Sequence, residues 1–365
     1  MNNFSPRLIA WELTGSCNLK CVHCRASAVE ERDASELTTQ EIMNTIDNIA
    51  SFSHPILILT GGEPLVREDL FEIAGYATEK GLRVVVGTNA TMITPKIARR
   101  LLDSGVKRIS ISLDGPTAKA HDKFRGISGA FEDTLAGAKA AQEAGLDFQV
   151  NTTVTKRNVD DLQAIYDLAI KLGAVAHHIF LLVPTGRGVD LKDEEISPGE
   201  YENVLNWMYD MQKRDSTQKK APGHGHGGLF MKATCAPHYF RVISQRSKEE
   251  GLDISGEGGG LNAMTEGCLG GKGFSFISRY GDVYPCGYLP TSAGNIRDKP
   301  FREIWEESTL FKDLRDPRKL KGKCGKCEYK VQCGGCRARA FAKHKDYLKS
   351  EPYCIYRPPG FKNKR

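Results

Sequence analysis

The chain has 365 residues, of which 40% are hydrophobic and 26% are charged, and its formal net charge is +6. This composition is typical of a globular enzyme and excludes a disordered or fibrous chain, while the length allows one large domain with a smaller one. The modest positive charge requires no nucleic-acid partner, and no apolar run is long enough to cross a membrane. The first residues lack the basic and apolar regions of a signal peptide, so we expect a cytoplasmic protein.

Short apolar runs alternate with amphipathic stretches over the first 212 residues. The apolar runs have the length and composition of buried strands, and they are 7–13, 55–60, 82–87, 108–113, 147–154 and 177–183. The stretches between them have helical periodicity with capping residues, and the predicted helices are Thr39–Phe52, Arg67–Lys80, Pro95–Ser104, Ala130–Ala144, Val159–Leu172 and Pro198–Gln212.

Repeated β–α units predict an α/β fold with a parallel sheet and right-handed crossovers. Six units are too few for a closed eightfold barrel, so the pattern leaves open a partial (β/α)6 TIM-like barrel and a doubly wound sheet. In both architectures the functional residues lie at the C-terminal ends of the strands.

The regular pattern stops after residue 212, which suggests three parts. We expect a barrel domain over 1–212, a linker or insertion over 213–260 and a cysteine-rich domain over 261–365. The middle part is polar and rich in glycine, and although its His224 and His226 could bind a metal, a flexible surface segment explains them better.

Eleven cysteines lie in two regions that flank a cysteine-free middle. In a reducing compartment, clustered thiols are more often metal ligands or redox groups than disulfides. One cluster follows the first predicted strand, and the other thiols are Cys235, Cys268, Cys286, Cys324, Cys327, Cys333, Cys336 and Cys354.

The first cluster, Cys17, Cys21 and Cys24, stands in the sequence CNLKCVHC. Structural zinc sites and ferredoxin-type clusters use four protein ligands. Three thiolates leave one iron of a [4Fe–4S] cluster with an open position that can bind a substrate or cofactor. A zinc knuckle that borrows a distant fourth ligand is the alternative.

The sequence TGGEP follows the second predicted strand. Gly61 and Gly62 allow the backbone to approach a ligand closely, and Glu63 supplies a carboxylate that can hold an ammonium group. Alone, the tetrapeptide GGEP is more often a turn than a site.

The C-x3-C-x2-C motif and GGEP, Gly61–Pro64, resemble the radical S-adenosylmethionine (SAM) superfamily in order and context. The resemblance implies that SAM chelates the open iron of a [4Fe–4S] cluster and is cleaved to a radical that abstracts hydrogen from the substrate. It also implies that further residues at strand ends face SAM, namely Asn89, Ser112, Asp114, Arg125, Thr153 and Val183.

Two of these residues have an alternative role, because Ser112 and Asp114 can equally cap the helix that follows. Arg125 is the strongest of the set, since an arginine can pair with the SAM carboxylate. The sequence assigns no catalytic side chain.

The C-terminal cysteines resemble the SPASM extension of radical SAM enzymes, which holds one or two auxiliary [4Fe–4S] clusters. The resemblance implies that one closed cluster binds Cys324, Cys327, Cys333 and Cys354. It implies that a second binds Cys268, Cys286 and Cys336.

The last interval of the cysteine run departs from the family pattern, because Cys333 and Cys336 are separated by two residues and not three. Cys235 is a further candidate that can complete the second cluster, lie near the substrate or be an inert buried thiol. Zinc is the rival metal for this run.

Four stretches, PRLIAWELTGSCNLKCVHCRA, HHIFLLVPTGRG, KATCAPHY and CGGCRARA, together resemble the radical SAM family of heme b synthases. Members remove the carboxyl groups of two propionates of Fe-coproporphyrin III and leave vinyl groups. The resemblance implies an iron-porphyrin substrate and a reducing protein such as flavodoxin or ferredoxin. For the substrate, we consider Arg187 and Arg241 as carboxylate partners, and His177, His178 and His238 as iron ligands or orienting groups.

Three alternatives stay open. Related radical SAM enzymes that remove acetates from didecarboxysiroheme or mature heme d1 share this architecture. A peptide-modifying enzyme would favour a recognition domain before the barrel, and with six residues before the first strand we expect none. A non-catalytic iron–sulfur or zinc scaffold would need neither the open triplet nor GGEP.

Overall fold

The computed structural model describes residues 4–217, 229–251 and 267–361. Its strands are β1 (Leu8–Glu12), β2 (Ile56–Thr60), β3 (Arg83–Thr88), β4 (Arg108–Ser112), β5 (Phe148–Val154), β6 (Ala176–Leu181), β7 (Phe230–Thr234), β8 (Phe274–Ile277), β9 (Asp282–Tyr284) and β10 (Gly294–Asn295). Its α-helices are α1 (Thr39–Ala50), α2 (Leu70–Glu79), α3 (Pro95–Asp103), α4 (Ala118–Arg125), α5 (Ala130–Glu143), α6 (Leu162–Lys171), α7 (Pro198–Thr217), α8 (Tyr239–Glu249), α9 (Phe301–Glu307), α10 (Thr309–Arg315), α11 (Gly322–Lys326) and α12 (Arg337–His344).

All strands of the described residues belong to one sheet of order β10-β9-β8-β1-β2-β3-β4-β5-β6-β7. Strands β1 to β7 are parallel and adjacent in chain order, β8 pairs parallel with β1, and β9 and β10 pair antiparallel. A doubly wound sheet reverses its strand order at a switch point, and this sheet does not. The predicted α/β fold is therefore confirmed, and the partial barrel is the correct one of the two alternatives.

The barrel is wider than the six predicted units, because β7 and β8 extend it at opposite edges. Strand β7 and helix α8 lie within 213–260, so the prediction of a linker there missed them. The signal in FMKAT is weak, since the strand is short and its apolar and polar residues do not alternate strictly. His224 and His226 lie outside the described residues, and the three domain bounds stay a prediction.

The two faces of the parallel sheet differ in burial. Residues such as Leu57 and Val84 alternate along the strands, face the helices and are fully buried. The intervening residues are less buried and form the inner face of the barrel, where a ligand can reach them. No helix of the described ranges has the length and apolar character that a membrane span requires.

Candidate iron–sulfur and cofactor site

The three N-terminal cysteines lie on the loop after β1, where they pack around a shared small core. Main-chain N–H groups face two of the sulfurs, from Leu19 to Cys17 Sγ at 3.4 Å and from Ala28 to Cys24 Sγ at 3.3 Å. Such donors stabilise the thiolate form that binds iron. Three grouped thiols with donors already in place fit a [4Fe–4S] cluster that has one open iron.

Arg187 holds this loop in place. Its Nε donates to the carbonyl of Cys21 at 2.9 Å, its Nη1 donates to the carbonyl of Ala28 at 2.6 Å, and its main-chain N donates to the carbonyl of Cys24 at 3.0 Å. The prediction that Arg187 binds a substrate carboxylate is therefore not supported by its contacts.

The GGEP turn packs directly against the cysteine loop. Gly62 N donates to the Thr14 carbonyl at 2.7 Å, and Glu63 N donates to the Ser16 carbonyl at 2.8 Å. A Cβ atom at Gly61 would lie 2.6 Å from Thr14 O, and one at Gly62 would lie 2.2 Å from Ser16 O. The glycines are required because the two backbones touch, and the approach of their main chain to a ligand stays a prediction.

Glu63 is fully buried, and its carboxylate binds other groups of the protein. Its carboxylate accepts hydrogen bonds from Leu65 N at 3.1 Å, Thr88 Oγ1 at 2.8 Å and Asn89 N at 2.7 Å. Burial raises the pKa of Glu63 to about 7, and these donors oppose the shift. The side chain has no exposed surface to offer an ammonium group, so its structural role is to join the turn to the end of β3.

Asn89 and Pro64 lie beside the same loop. Asn89 Nδ2 is 2.8 Å from Asn18 Oδ1 and 4.0 Å from Cys17 Sγ, which places the amide next to the first thiol. Pro64 begins a short 3-10 helix, Pro64–Val66, that follows the turn.

Arg125 links the end of β4 to the second thiol. Its Nη2 donates to Asp114 Oδ2, and its Nη1 lies 3.7 Å from Cys21 Sγ. Burial raises the pKa of Asp114, and the adjacent guanidinium opposes that shift. Asp114 Oδ1 also accepts a hydrogen bond from Thr153 N at 2.7 Å. The cap of α4 is Thr117, so the alternative that Asp114 caps a helix is wrong.

The remaining predicted cofactor residues differ in what they expose. Ser112 and Thr153 lie partly exposed at the inner face, near the ends of β4 and β5. Val183 is 3% exposed and packs in the hydrophobic core, so its main chain is the part that can contact a cofactor.

Four C-terminal cysteines line one partly open cavity, as the sequence predicted for the closed cluster: Cys324, Cys327, Cys333 and Cys354. Main-chain N–H groups again face sulfurs, from Gly335 to Cys333 Sγ and from Glu351 to Cys324 Sγ, both at 3.3 Å. His238 lines the same cavity, is fully buried and has no partner at either ring nitrogen in the described part of the chain. Four thiols, N–H donors and an unpartnered imidazole fit an iron–sulfur cluster.

Cys235 lies with the other thiols. Burial raises its pKa, and the nearby thiols of Cys336, Cys286 and Cys268 add to the shift. Its backbone φ is 60°, which is uncommon for a residue other than glycine and indicates that its orientation is imposed. The eight late cysteines thus fall into two groups of four.

The grouping of side chains does not support the two zinc sites that the sequence left open. Across 4–217, 229–251 and 267–361, no three His, Cys, Asp or Glu side chains converge tightly enough to hold one metal ion. A cubane cluster distributes its thiolates over different irons, so its ligands stand further apart than those of zinc.

The other substrate candidates have structural partners. Arg241 forms an ion pair with Glu202, and His177 Nε2 lies 2.8 Å from Thr152 Oγ1 on the face that packs against the helices. His178 is on the inner face. Sequence reasoning missed Arg339 and Lys232, because the first acts across the fold and the second lies on a strand that was not predicted.

Comparison with known proteins agrees with this site. The Radical SAM superfamily model matches residues 11–169, and the SPASM model, an iron–sulfur cluster-binding domain, matches 268–328. An AdoMet-dependent heme synthase of Methanosarcina barkeri is 56% identical, over 97% of this chain and 97% of that protein. An Fe-coproporphyrin III synthase of the same organism is 33% identical, over 95% of this chain and 87% of that protein. The structure of Streptococcus suis SuiB bound to S-adenosylmethionine has a TM-score of 0.74 at 19% identity, over 96% of this chain and 78% of that one, and shows the shared fold.

The chain belongs to the radical SAM superfamily and to its SPASM-containing members. It is therefore an enzyme of radical chemistry, whose cofactors are a [4Fe–4S] cluster with S-adenosylmethionine and auxiliary iron–sulfur clusters.

Proposed function

We propose that the protein is a radical SAM heme synthase that converts two propionates of Fe-coproporphyrin III to vinyl groups and yields heme b. The observation that carries this proposal is the 56% identity, over almost all of both chains, with an AdoMet-dependent heme synthase. The corresponding value for the Fe-coproporphyrin III synthase is only 33%. In each of the two decarboxylations of Fe-coproporphyrin III, one propionate loses one hydrogen atom, carbon dioxide and one electron.

The N-terminal cluster binds Cys17, Cys21 and Cys24, and the bound cluster and SAM supply the hydrogen-atom abstraction. Arg125 orients this site, since it contacts both Cys21 and Asp114. The surfaces that surround SAM are the main chain at Gly61, Gly62, Glu63, Pro64 and Val183 and the side chains of Asn89, Ser112, Asp114, Arg125 and Thr153.

Two auxiliary clusters complete the enzyme. One binds Cys324, Cys327, Cys333 and Cys354, a choice supported by their shared lining of one cavity. The other binds Cys268, Cys286 and Cys336 with Cys235 as its fourth ligand, supported by the mutual influence of these thiols on their pKa values. An auxiliary cluster accepts the electron that each propionate releases.

The enzyme works in the reducing cytoplasm, receives electrons from a flavodoxin or ferredoxin, and uses neither nucleic acid nor a membrane as partner. The modest net charge of +6 requires no nucleic-acid partner. For the compartment, the support is that all eleven cysteines are free. Thiols in this state are typical of intracellular proteins.

Anaerobic reconstitution with iron and sulfide, followed by reaction with reductant, SAM and Fe-coproporphyrin III, tests the proposal. Mass spectrometry should find two successive losses of the elements of formic acid, and 5′-deoxyadenosine should form with them. If the protein instead converts didecarboxysiroheme and does not react with Fe-coproporphyrin III, the chain has the activity that removes acetates from didecarboxysiroheme.

The fourth-ligand assignment has its own test. A Cys235→Ser variant should keep the N-terminal cluster and the cavity cluster but alter the electron paramagnetic resonance signal of the remaining cluster. An unchanged signal in that variant would contradict the role of Cys235.

A further inference from the structure

A row of polar side chains crosses the inner face of the barrel. The register pairs Ser112 of β4 with Asn151 of β5, Asn151 with His178 of β6, and His178 with Lys232 of β7. All four are partly exposed, whereas their helix-facing neighbours, such as Ile179, are fully buried. The row therefore lies on the face of the sheet that the helices leave uncovered.

Lys232 is a cation without a counter-ion, because its ammonium makes no hydrogen bond or ion pair with any residue that the structure describes. Burial lowers the pKa of Lys232 to about 8, and the positive charge of Arg7 contributes to the shift. A poorly solvated charge without a partner costs stability. Such a side chain is expected where a ligand supplies the missing anion.

His178 places a second donor beside this lysine. Gln149 Nε2 lies 3.0 Å from His178 Nδ1, and an amide nitrogen can only donate, so Nδ1 accepts and the ring proton lies on Nε2. Burial, together with the charges of Lys232 and Arg108, lowers the pKa of His178 well below its ordinary value. The imidazole is therefore a neutral donor at neutral pH.

We propose that Lys232 and His178 bind a carboxylate of the substrate, which, if the proposed function holds, is a propionate side chain of the iron porphyrin. The two residues are paired on neighbouring strands, roughly 5 Å apart. The ammonium and the imidazole N–H can thus each donate to one oxygen of the same carboxylate. This site takes the place of Arg187 and Arg241, because most of their guanidinium nitrogens already bind the cysteine loop and Glu202.

SAM also carries a carboxylate, so the source of the anion has to be decided. Measured along the sheet, Lys232 lies three strands, roughly 14 Å, from Ser112, and its partner His178 lies five residues, roughly 16 Å, before Val183. The basic partner suited to SAM is Arg125, which contacts Asp114 and Cys21 beside the N-terminal thiols. The substrate carboxylate is therefore the occupant that the position of Lys232 favours.

The test measures ligand affinity of the anaerobically reconstituted protein in three arms. Fe-coproporphyrin III and its tetramethyl ester, which lacks ionised carboxylates, are titrated through the change in their Soret absorbance, and SAM is measured by equilibrium dialysis. The variants are Lys232→Met, Lys232→Arg and, as a control, Lys171→Met, which removes an exposed lysine from the outer surface of α6. The melting temperature is recorded for each.

Lys232→Met should bind Fe-coproporphyrin III about ten- to a hundredfold more weakly, the range for one charge-assisted hydrogen bond, with ester and SAM affinities unchanged. Lys232→Arg should retain most of the affinity, and Lys171→Met should match the unaltered protein. Because an unpaired charge is removed, Lys232→Met should melt at an equal or higher temperature.

Several outcomes overturn the inference. The inference is wrong if Lys232→Met binds Fe-coproporphyrin III as tightly as the unaltered protein does, even when heme still forms. It is also wrong if Lys232→Met loses as much affinity for the tetramethyl ester as for Fe-coproporphyrin III, because the ester has no ionised carboxylate. A loss confined to SAM assigns the lysine to the cofactor. If the unaltered chain binds no carboxylate porphyrin, the proposed function and this inference both fall.

Discussion

Arg339, on α12, donates a 3.0 Å hydrogen bond to the main-chain carbonyl of Cys235 at the end of β7. The same guanidinium donates to the carbonyls of Leu181 and Leu182 at the end of β6, at 3.1 and 2.9 Å. Arg339 is 2% exposed and lies 3.6 Å from the carboxylate of Glu351. One buried side chain thus joins the cysteine-rich segment to two strand ends of the barrel.

Replacing Arg339 with lysine should strongly destabilise the protein, because a single ammonium cannot satisfy three carbonyls and a carboxylate. We expect a cost of about 3 kcal/mol, typical of a broken buried ionic network. Thermal and denaturant unfolding measure the loss, with Arg302→Lys as the control because Arg302 pairs with Glu306 at the surface. Similar unfolding midpoints for both variants would refute the bridging role.

Substitutions of Arg125 test its role at the N-terminal site. An Arg125→Met variant leaves Asp114 as a buried unpaired carboxylate, so we expect about 3–5 kcal/mol of destabilisation and loss of SAM cleavage. Adding Asp114→Asn should restore much of the stability but not the cleavage, because the contact with Cys21 stays absent. The measurements are the unfolding midpoint and the yield of 5′-deoxyadenosine. Recovery of both would mean that Arg125 serves only to neutralise Asp114.

The barrel could be predicted because its signals are local. Thr38 and Glu41 form the capping box at the start of α1, and Thr94 caps α3. Such pairs lie within a few residues of each other and specify where a helix begins. The cysteine and GGEP motifs are local too, and each follows a strand as predicted.

The missed features depend on contacts across the chain. Helix α4 has a polar sequence, and Phe124 and Arg125 are buried in it because the cysteine loop and Asp114 cover them. Arg339 and Cys235 are 104 residues apart, and no local sequence pattern predicts the hydrogen bond between them. Lys232 carried no signal, since an isolated lysine is ordinarily a solvated surface residue.

The two cysteine regions should be separable. A Cys21→Ala variant should abolish SAM cleavage, because only two thiolates remain for the N-terminal cluster. A Cys327→Ala variant should lose heme formation or fold poorly, with the N-terminal cluster still assembled. Iron content and 5′-deoxyadenosine yield distinguish the two, and SAM cleavage by Cys21→Ala would overturn the assignment of the first triplet.

Gly62 should tolerate no side chain. A Cβ there would lie 2.2 Å from the carbonyl oxygen of Ser16, and backbone must shift to relieve the overlap. We expect Gly62→Ala to cost about 3 kcal/mol and to lower occupancy of the N-terminal cluster. Gly75→Ala is the matched control, because nothing lies within 4 Å of a Cβ at that position on α2. The control should gain up to about 1 kcal/mol from higher helix propensity, so equal midpoints for the two variants would contradict the contact.

Substrate affinity should depend on pH through Lys232. The pKa of Lys232 is lowered to about 8, whereas the pKa of His178 is lowered well below its ordinary value, so the lysine is the one of the two that titrates near pH 8. A bound carboxylate favours the protonated lysine and raises its pKa, so affinity is full below pH 8 and falls as pH rises through that value. Soret titrations with Fe-coproporphyrin III between about pH 7 and 9.5 measure the decline. In Lys232→Arg the cation persists throughout, so the decline should disappear, and an identical pH profile in that variant would mean that another group controls binding.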